Sequence, residues 1–211
     1  MQTVQVRATR WVAGTSLLAS TAIVLSLLRL RFPYPLLPFL SFDLAEIPIV
    51  LSLLVLDFKS AFTVAVIHWI MLNFGRPYHV LIGPLMKLAA VVSMLIGFKL
   101  ILDKPNLTLN KRNLTLMIAS GSLTRIGVMS IVTFLLYYII FPEVYLPTSS
   151  QVLKNVLGLE LESSFLVAFI TVILTAFFNL LHVPLSLLPA ASVYTLYKKM
   201  KLETSYPSRK E

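Results

Sequence analysis

The sequence predicts an all-α fold: a polytopic membrane protein built as a bundle of six transmembrane helices, the second and third of them short. Three observations predict it. Mean hydropathy is +0.85, with 57% hydrophobic and only 13% charged residues, against about 25% charged in soluble domains. Six apolar segments follow one another along 211 residues, and the basic residues collect in alternate connections. One domain is expected over residues 1–202, with a polar cytoplasmic tail at 203–211.

The first segment, Trp11–Leu30, carries no charge as far as Leu28. No small-residue cleavage pattern follows it, so it reads as a retained helix. A proline-punctuated stretch comes next, FPYPLLPFLSFDLAEIP from Phe32 to Pro48, which reads as a loop running into a turn. The second segment, Leu44–Leu56, and the third, Ser60–Phe74, fall short of the roughly 20 residues a full crossing needs. They read as a tight hairpin of short or tilted helices. Non-helical backbone at that depth survives only where protein buries it or a cavity wets it, so this region reads as the rim of a binding site. Val80–Leu102 and Leu114–Phe141 are full spans. The sixth segment, Ser163–Tyr197, is too long for a straight span and contains Pro184 and Pro189, which predicts a kink or break near His182.

Basic residues set the topology. With the N-terminus inside, the inner positions are Arg7, Arg10, Lys59, Lys104, Lys111, Arg112, Lys198, Lys199, Lys201, Arg209 and Lys210. The outer ones are Arg29, Arg31, Arg76 and Lys154. This distribution favours both termini in the cytoplasm of a multi-pass plasma-membrane protein, with the proline loop and the stretch 142–162 outside. The same rule accounts for the formal charge of +9 without nucleic acid. The absence of cysteine excludes disulfides, thiolate metal sites and a cysteine nucleophile. Neither a P-loop nor a Gly-x-Gly-x-x-Gly fingerprint is present, so any ATP-driven work must be done on another chain. His68, His79 and His182 lack metal-ligand spacing, and no Gly-x-Ser-x-Gly occurs.

Polar groups inside spans need a reason, because a charge at a helix centre costs about 2.5–3.5 kcal/mol to insert. Arg125 lies too deep to snorkel and requires an acidic or carbonyl partner; Asp43, Glu46 and Asp57 are the candidates, and a structural ion pair is the favoured reading. Lys87 lies near the start of its span, where snorkelling and ligand contact are both open. Asn179 and His182, at i and i+3, share a helix face. They could read the edge of a polar heterocycle or bond a neighbouring helix. In the first helix Ala13, Ser16 and Ser20 form a small-residue stripe with Ala19 beside it, suited to close approach by another helix, from this chain or from a separate membrane subunit.

Together these residues resemble the substrate-binding S component of energy-coupling factor (ECF) vitamin transporters, and the riboflavin branch in particular. The resemblance rests on the small-residue first helix, on Phe32-Pro33-Tyr34-Pro35, on Asp43-Leu44-Ala45-Glu46-Ile47-Pro48, and on Phe178-Asn179-Leu180-Leu181-His182 in a helix ending Leu196-Tyr197-Lys198-Lys199. It covers most of the chain in order. The branch has Lys where this chain has His182, a Glu-x-x-Lys-Asn pattern where it has Ala65, His68 and Trp69, Asn where it has Lys87, and Asn where it has Thr133. The resemblance implies a non-enzymatic subunit without cofactor. It would capture riboflavin or another vitamin from outside, with the loop after the first helix as lid, and work with a transmembrane coupling subunit and two cytoplasmic ATPases. The candidate ligand contacts are then Phe39, Leu40, Ser41, His68, Lys87, Thr133, Asn179 and His182, and the docking face is Ala13, Ser16, Ala19 and Ser20. An intramembrane enzyme is the alternative from another class, and would need Glu46, His68 and His182 to converge.

Overall fold

The computed structural model describes residues 2–74, 82–103 and 109–205, with side chains from residue 5 to residue 200 of these; His79, Arg76 and Lys104 lie outside the described residues. The order is α1 (Gln2–Leu27), β1 (Arg31–Tyr34), β2 (Leu37–Asp43), α2 (Glu46–Val55), α3 (Phe58–Asn73), α4 (Ile82–Leu102), α5 (Lys111–Phe134), a π-helical turn (Leu135–Ile140), α6 (Pro142–Leu157) and α7 (Ser164–Ser205). The segments containing α1, α4, α5 and α7 are each long and apolar enough to cross a bilayer, and α2 and α3 are shorter apolar helices. The molecule is a helical bundle of the kind expected for a membrane protein.

α1 and α3 run side by side in the same direction, joined at three levels. Trp11 Nε1 donates to Asp57 Oδ2 at 3.0 Å, Thr15 and Ser60 hydroxyls meet at 2.8 Å, and Ser26 Oγ shares a 2.7 Å hydrogen bond with His68 Nε2. Asp57 also caps α3, accepting from the Ser60 amide at 2.7 Å, which meets one of the orphan donors of the first turn. The α2–α3 turn therefore lies at the level of Trp11, near the start of α1. With 10 residues, α2 is only about 15 Å long, so Glu46 at its N-terminus sits deep in the bundle. The chain covers the remaining depth as β1 and β2.

That stretch, expected as a loop, is a two-stranded antiparallel hairpin pairing Arg31 with Asp43 and Phe32 with Phe42, with an irregularity at Pro33/Tyr34. Prolines 33, 35 and 38 forbid a helix there, and pairing the strands satisfies backbone groups that lipid could not. A second correction concerns the sixth segment. α7 is one continuous helix through Pro184 and Pro189, with no break at His182. Ser186 Oγ bonds back to the His182 carbonyl at 3.0 Å and Ser192 Oγ to that of Leu188 at 2.9 Å, local side-chain bonds within the same helix. A third is α6, which occupies most of the expected outer loop. Pro142 opens it and Gly158, at φ 67°, closes it in the left-handed conformation, the usual proline-start, glycine-end asymmetry.

α4 and α5 pack at closest range through Gly97 and Gly121. Ser120 Oγ donates to the Gly97 carbonyl at 2.7 Å. A Cβ on Gly97 would lie 2.6 Å from the Ser120 carbonyl oxygen and 2.7 Å from Gly121 Cα. Backbone cannot retreat as a side chain can, so Gly97→Ala is expected to destabilise the fold by about 1–3 kcal/mol, read as a lowered melting temperature in detergent. Gly127→Ala, where nothing lies within 4 Å, should leave it unchanged; equal melting of the two variants would refute the close-packing account.

Candidate functional site

Arg125 of α5 is 2% exposed and lies among α2, α4 and α7. A guanidinium has five N–H donors and no acceptor, and five acceptors surround this one. Nε donates to Asn179 Oδ1 at 2.8 Å. One terminal nitrogen donates to Glu46 Oε2 at 2.6 Å and to Met94 Sδ at 3.5 Å. The other donates to Glu46 Oε1 at 3.2 Å and to His182 Nδ1 at 3.2 Å. Glu46, fully buried, thus grips the guanidinium with both oxygens, the two-pronged arrangement that planar fork geometry favours, and lies 3.3 Å from Ser186 Oγ, whose single proton it shares with the His182 carbonyl. A buried charge of each sign cancels here.

The same geometry sets the histidine tautomer. Arg125 can only donate, so His182 Nδ1 accepts, and a neutral ring carries its proton on Nε2. Nε2 faces Glu46 Oε1 at 3.4 Å. Asn179 is held at both ends, its Nδ2 donating to the Thr175 carbonyl at 2.9 Å.

Of the acids that could have partnered Arg125, Glu46 does so. Asp43 pairs instead with Lys87 of α4, and Asp57 caps α3. Asp43 Oδ1 also accepts from the Ala45 amide at 2.8 Å, so the foot of the hairpin is tied to α4 and to the start of α2 by one side chain.

The hairpin sits on α7 through aromatic rings. Phe42 lies 4.8 Å from Phe178 and 5.4 Å, edge-on, from His182, and Tyr34 lies 5.5 Å from Phe178. These separations are in the range where ring pairs attract beyond simple burial. Phe178 and His182, one turn apart on α7, are themselves in edge contact at 5.2 Å. Of the loop residues named as ligand contacts, Phe39 is exposed, and Leu40 and Ser41 are half-buried; Phe42 is the one that reaches His182. The structure thus gathers Asn179 and His182 around Arg125 and Glu46, with Phe42 and Phe178 against them and Lys87 at the hairpin foot. Thr133 lies apart from this group, buried on α5 with no hydrogen-bond partner for its hydroxyl among the described residues. His68 is bonded to Ser26 and does not join Glu46 and His182, and no group of three potential metal ligands occurs among the described residues. On α1, Ala13, Ser16 and Ser20 are exposed while Ala19 faces the core. The residues that sequence reasoning missed are Tyr34, Phe42, Phe178 and Ser186; the i, i+4 spacing of Phe178 and His182 was the available signal.

No protein-family model matches this chain, and none of the curated proteins compared with it does. A solved structure does match. It is described as the structure and mechanism of the S component of a bacterial ECF transporter, and it aligns with 80% of this chain and 94% of its own, at a TM-score of 0.51 and 20% identity. The chain shares the S-component fold.

Removing either partner of the central ion pair leaves a buried charge alone, which typically costs 3–5 kcal/mol. Arg125→Met is therefore expected to lose most folded protein on size exclusion, and Glu46→Gln to do likewise. The double variant should recover a substantial share, and a double variant no better than either single one would contradict a coupled pair.

Proposed function

We propose that this protein is the substrate-capture subunit of an ECF-type importer, that it takes riboflavin or a related flavin from outside the cell, and that it delivers it together with a transmembrane coupling subunit and two cytoplasmic ATPases. It works as a multi-pass plasma-membrane protein with both termini cytoplasmic, and carries no catalytic group of its own. The observation that carries this reading is the hairpin after α1, seated by Phe42 on Phe178 and His182 directly beside a buried polar centre. Such a hairpin is a cover whose aromatic underside suits a planar heterocycle, and the amide of Asn179 supplies a hydrogen-bonding edge. The shared S-component fold supports the same role, as does a sequence that lacks a nucleotide-binding motif.

Arg125 has all five donors engaged, so its part is to hold Asn179 and His182 in position. The ligand would meet Asn179, His182 and Lys87, and Thr133 offers a further hydroxyl.

The test is the absorbance spectrum of detergent-purified protein, followed by mass spectrometry of whatever is released. Flavin bands, or saturable quenching of added riboflavin, support the reading. A colourless protein carrying another vitamin keeps the capture role and rejects the flavin. Protein that is empty and indifferent to riboflavin rejects the ligand outright. In protein that still elutes as a single peak, Asn179→Ala is expected to weaken flavin binding by more than about tenfold, since a lost partner leaves a buried polar group unpaired; unchanged affinity removes Asn179 from the site. Replacing exposed Ser16 and Ser20 with Leu should spare flavin binding yet prevent co-purification with the coupling subunit, because bulk on that stripe blocks close helix approach. A complex that still forms places the docking face elsewhere.

A further inference from the structure

A concavity borders the hairpin foot at Asp43. It has a volume of about 430 Å³ and opens between the end of α1, the α1–β1 connection and the second half of α3. That is large enough for a small molecule, for which cavities of about 300–1,000 Å³ are usual. Its polar lining is Ser26, Arg29, Arg31, Asp43 and His68.

The charges on this lining do not cancel. Asp43 is its one acid, and both Asp43 oxygens are already engaged, one by Lys87 and the other by the Ala45 amide. Neither Arg29 nor Arg31 has a side-chain hydrogen bond or an ion pair among the described residues, so two guanidiniums border the space uncompensated. Arg29 also holds φ at 53°, a left-handed conformation that costs a non-glycine residue energy and that concentrates at functional sites. That backbone turns the chain from α1 into β1 and brings both arginines to one rim. The Ser26–His68 pair on the same lining is fixed at 2.7 Å, a polar surface held by hydrogen bonding.

We propose that this concavity is a binding site for an oxyanion, a phosphate or carboxylate group, with Arg29 and Arg31 as its two-pronged clamp and Ser26 as an additional hydroxyl. Guanidinium forks match the geometry of both groups. The group could belong to a soluble metabolite or to an anionic phospholipid headgroup. The site is separate from the Asn179–His182 centre and does not depend on what that centre binds.

Isothermal titration of the full chain with inorganic phosphate, in phosphatidylcholine nanodiscs, tests it. Saturable binding with Kd about 1 mM is expected. Arg29→Gln with Arg31→Gln should weaken it by on the order of tenfold or more, and Arg7→Gln with Arg10→Gln should leave it unchanged. Repeating the titration in discs of equal parts phosphatidylcholine and phosphatidylglycerol separates the sources. Phosphate binding that persists there marks a soluble anion, and binding that disappears there, with phosphatidylglycerol retained by wild type but not by the Arg29/Arg31 variant in native mass spectrometry, marks the lipid. Absence of saturable phosphate binding in the first discs together with equal lipid retention by wild type and variant would overturn the proposal. Riboflavin quenching measured on the same samples reports the other centre, so failure of either site is read independently.

Discussion

Arg125 is the constraint on which the interior is built. A guanidinium in the middle of a membrane helix cannot shed its proton, and it cannot reach water. It must find an acid and fill five donors, and the fold does both: α2 supplies Glu46, α4 supplies Met94 and α7 supplies Asn179 and His182. Helices that share so directional a centre cannot slide past one another without leaving a buried charge or donor unpaired. The apolar side chains around it are less selective, since any well-filled arrangement buries comparable area. The ion pair thus fixes register and identity of contact, while packing supplies the bulk of the cohesion.

The hairpin follows from the same requirement. Glu46 must lie at the depth of Arg125, so α2 begins well inside the bundle and has room for only 10 residues before its turn. The chain between the end of α1 and Glu46 has to descend without a helix, and prolines make it extended. Pairing β1 with β2 meets their backbone hydrogen bonds, and Phe42 and Tyr34 anchor them on Phe178. What reads as an irregular insertion is the consequence of placing one carboxylate in one position. It also leaves the hairpin directly beside the polar centre, held there by rings and by the Asp43–Lys87 contact.

The long helices were legible in the sequence, because apolar runs of more than about 20 residues have few alternatives in a membrane protein. The short α2–α3 pair was legible for the converse reason. The strands were not: stretches of four and seven residues interrupted by proline carry the signature of a loop, and only their mutual pairing makes them a hairpin. Segment length with two prolines suggested a kink or a break in α7, and the helix runs through both prolines without a break. α6 was hidden by its polar face, which includes Glu143 and Lys154, although Pro142 and Gly158 marked its ends. Within the site, the need of Arg125 for an acid follows from insertion cost alone, whereas choosing Glu46 over Asp43 depends on tertiary packing that spacing does not encode. Phe42 and Phe178 could not be singled out from 13 phenylalanines and 8 tyrosines, since aromatic side chains in a membrane protein mostly face lipid or the interface.

The central claim is that the hairpin covers a ligand site beside the Arg125 centre. The most direct measurement is a pulsed electron–electron distance between spin labels on cysteines placed at Phe39 on the hairpin and Leu166 on α7, both exposed, in a chain with no native cysteine. The account predicts a broad distribution in the empty protein that narrows to a single distance when riboflavin is added. A distribution that stays the same at saturating riboflavin, in protein whose riboflavin quenching shows that it binds, would contradict it.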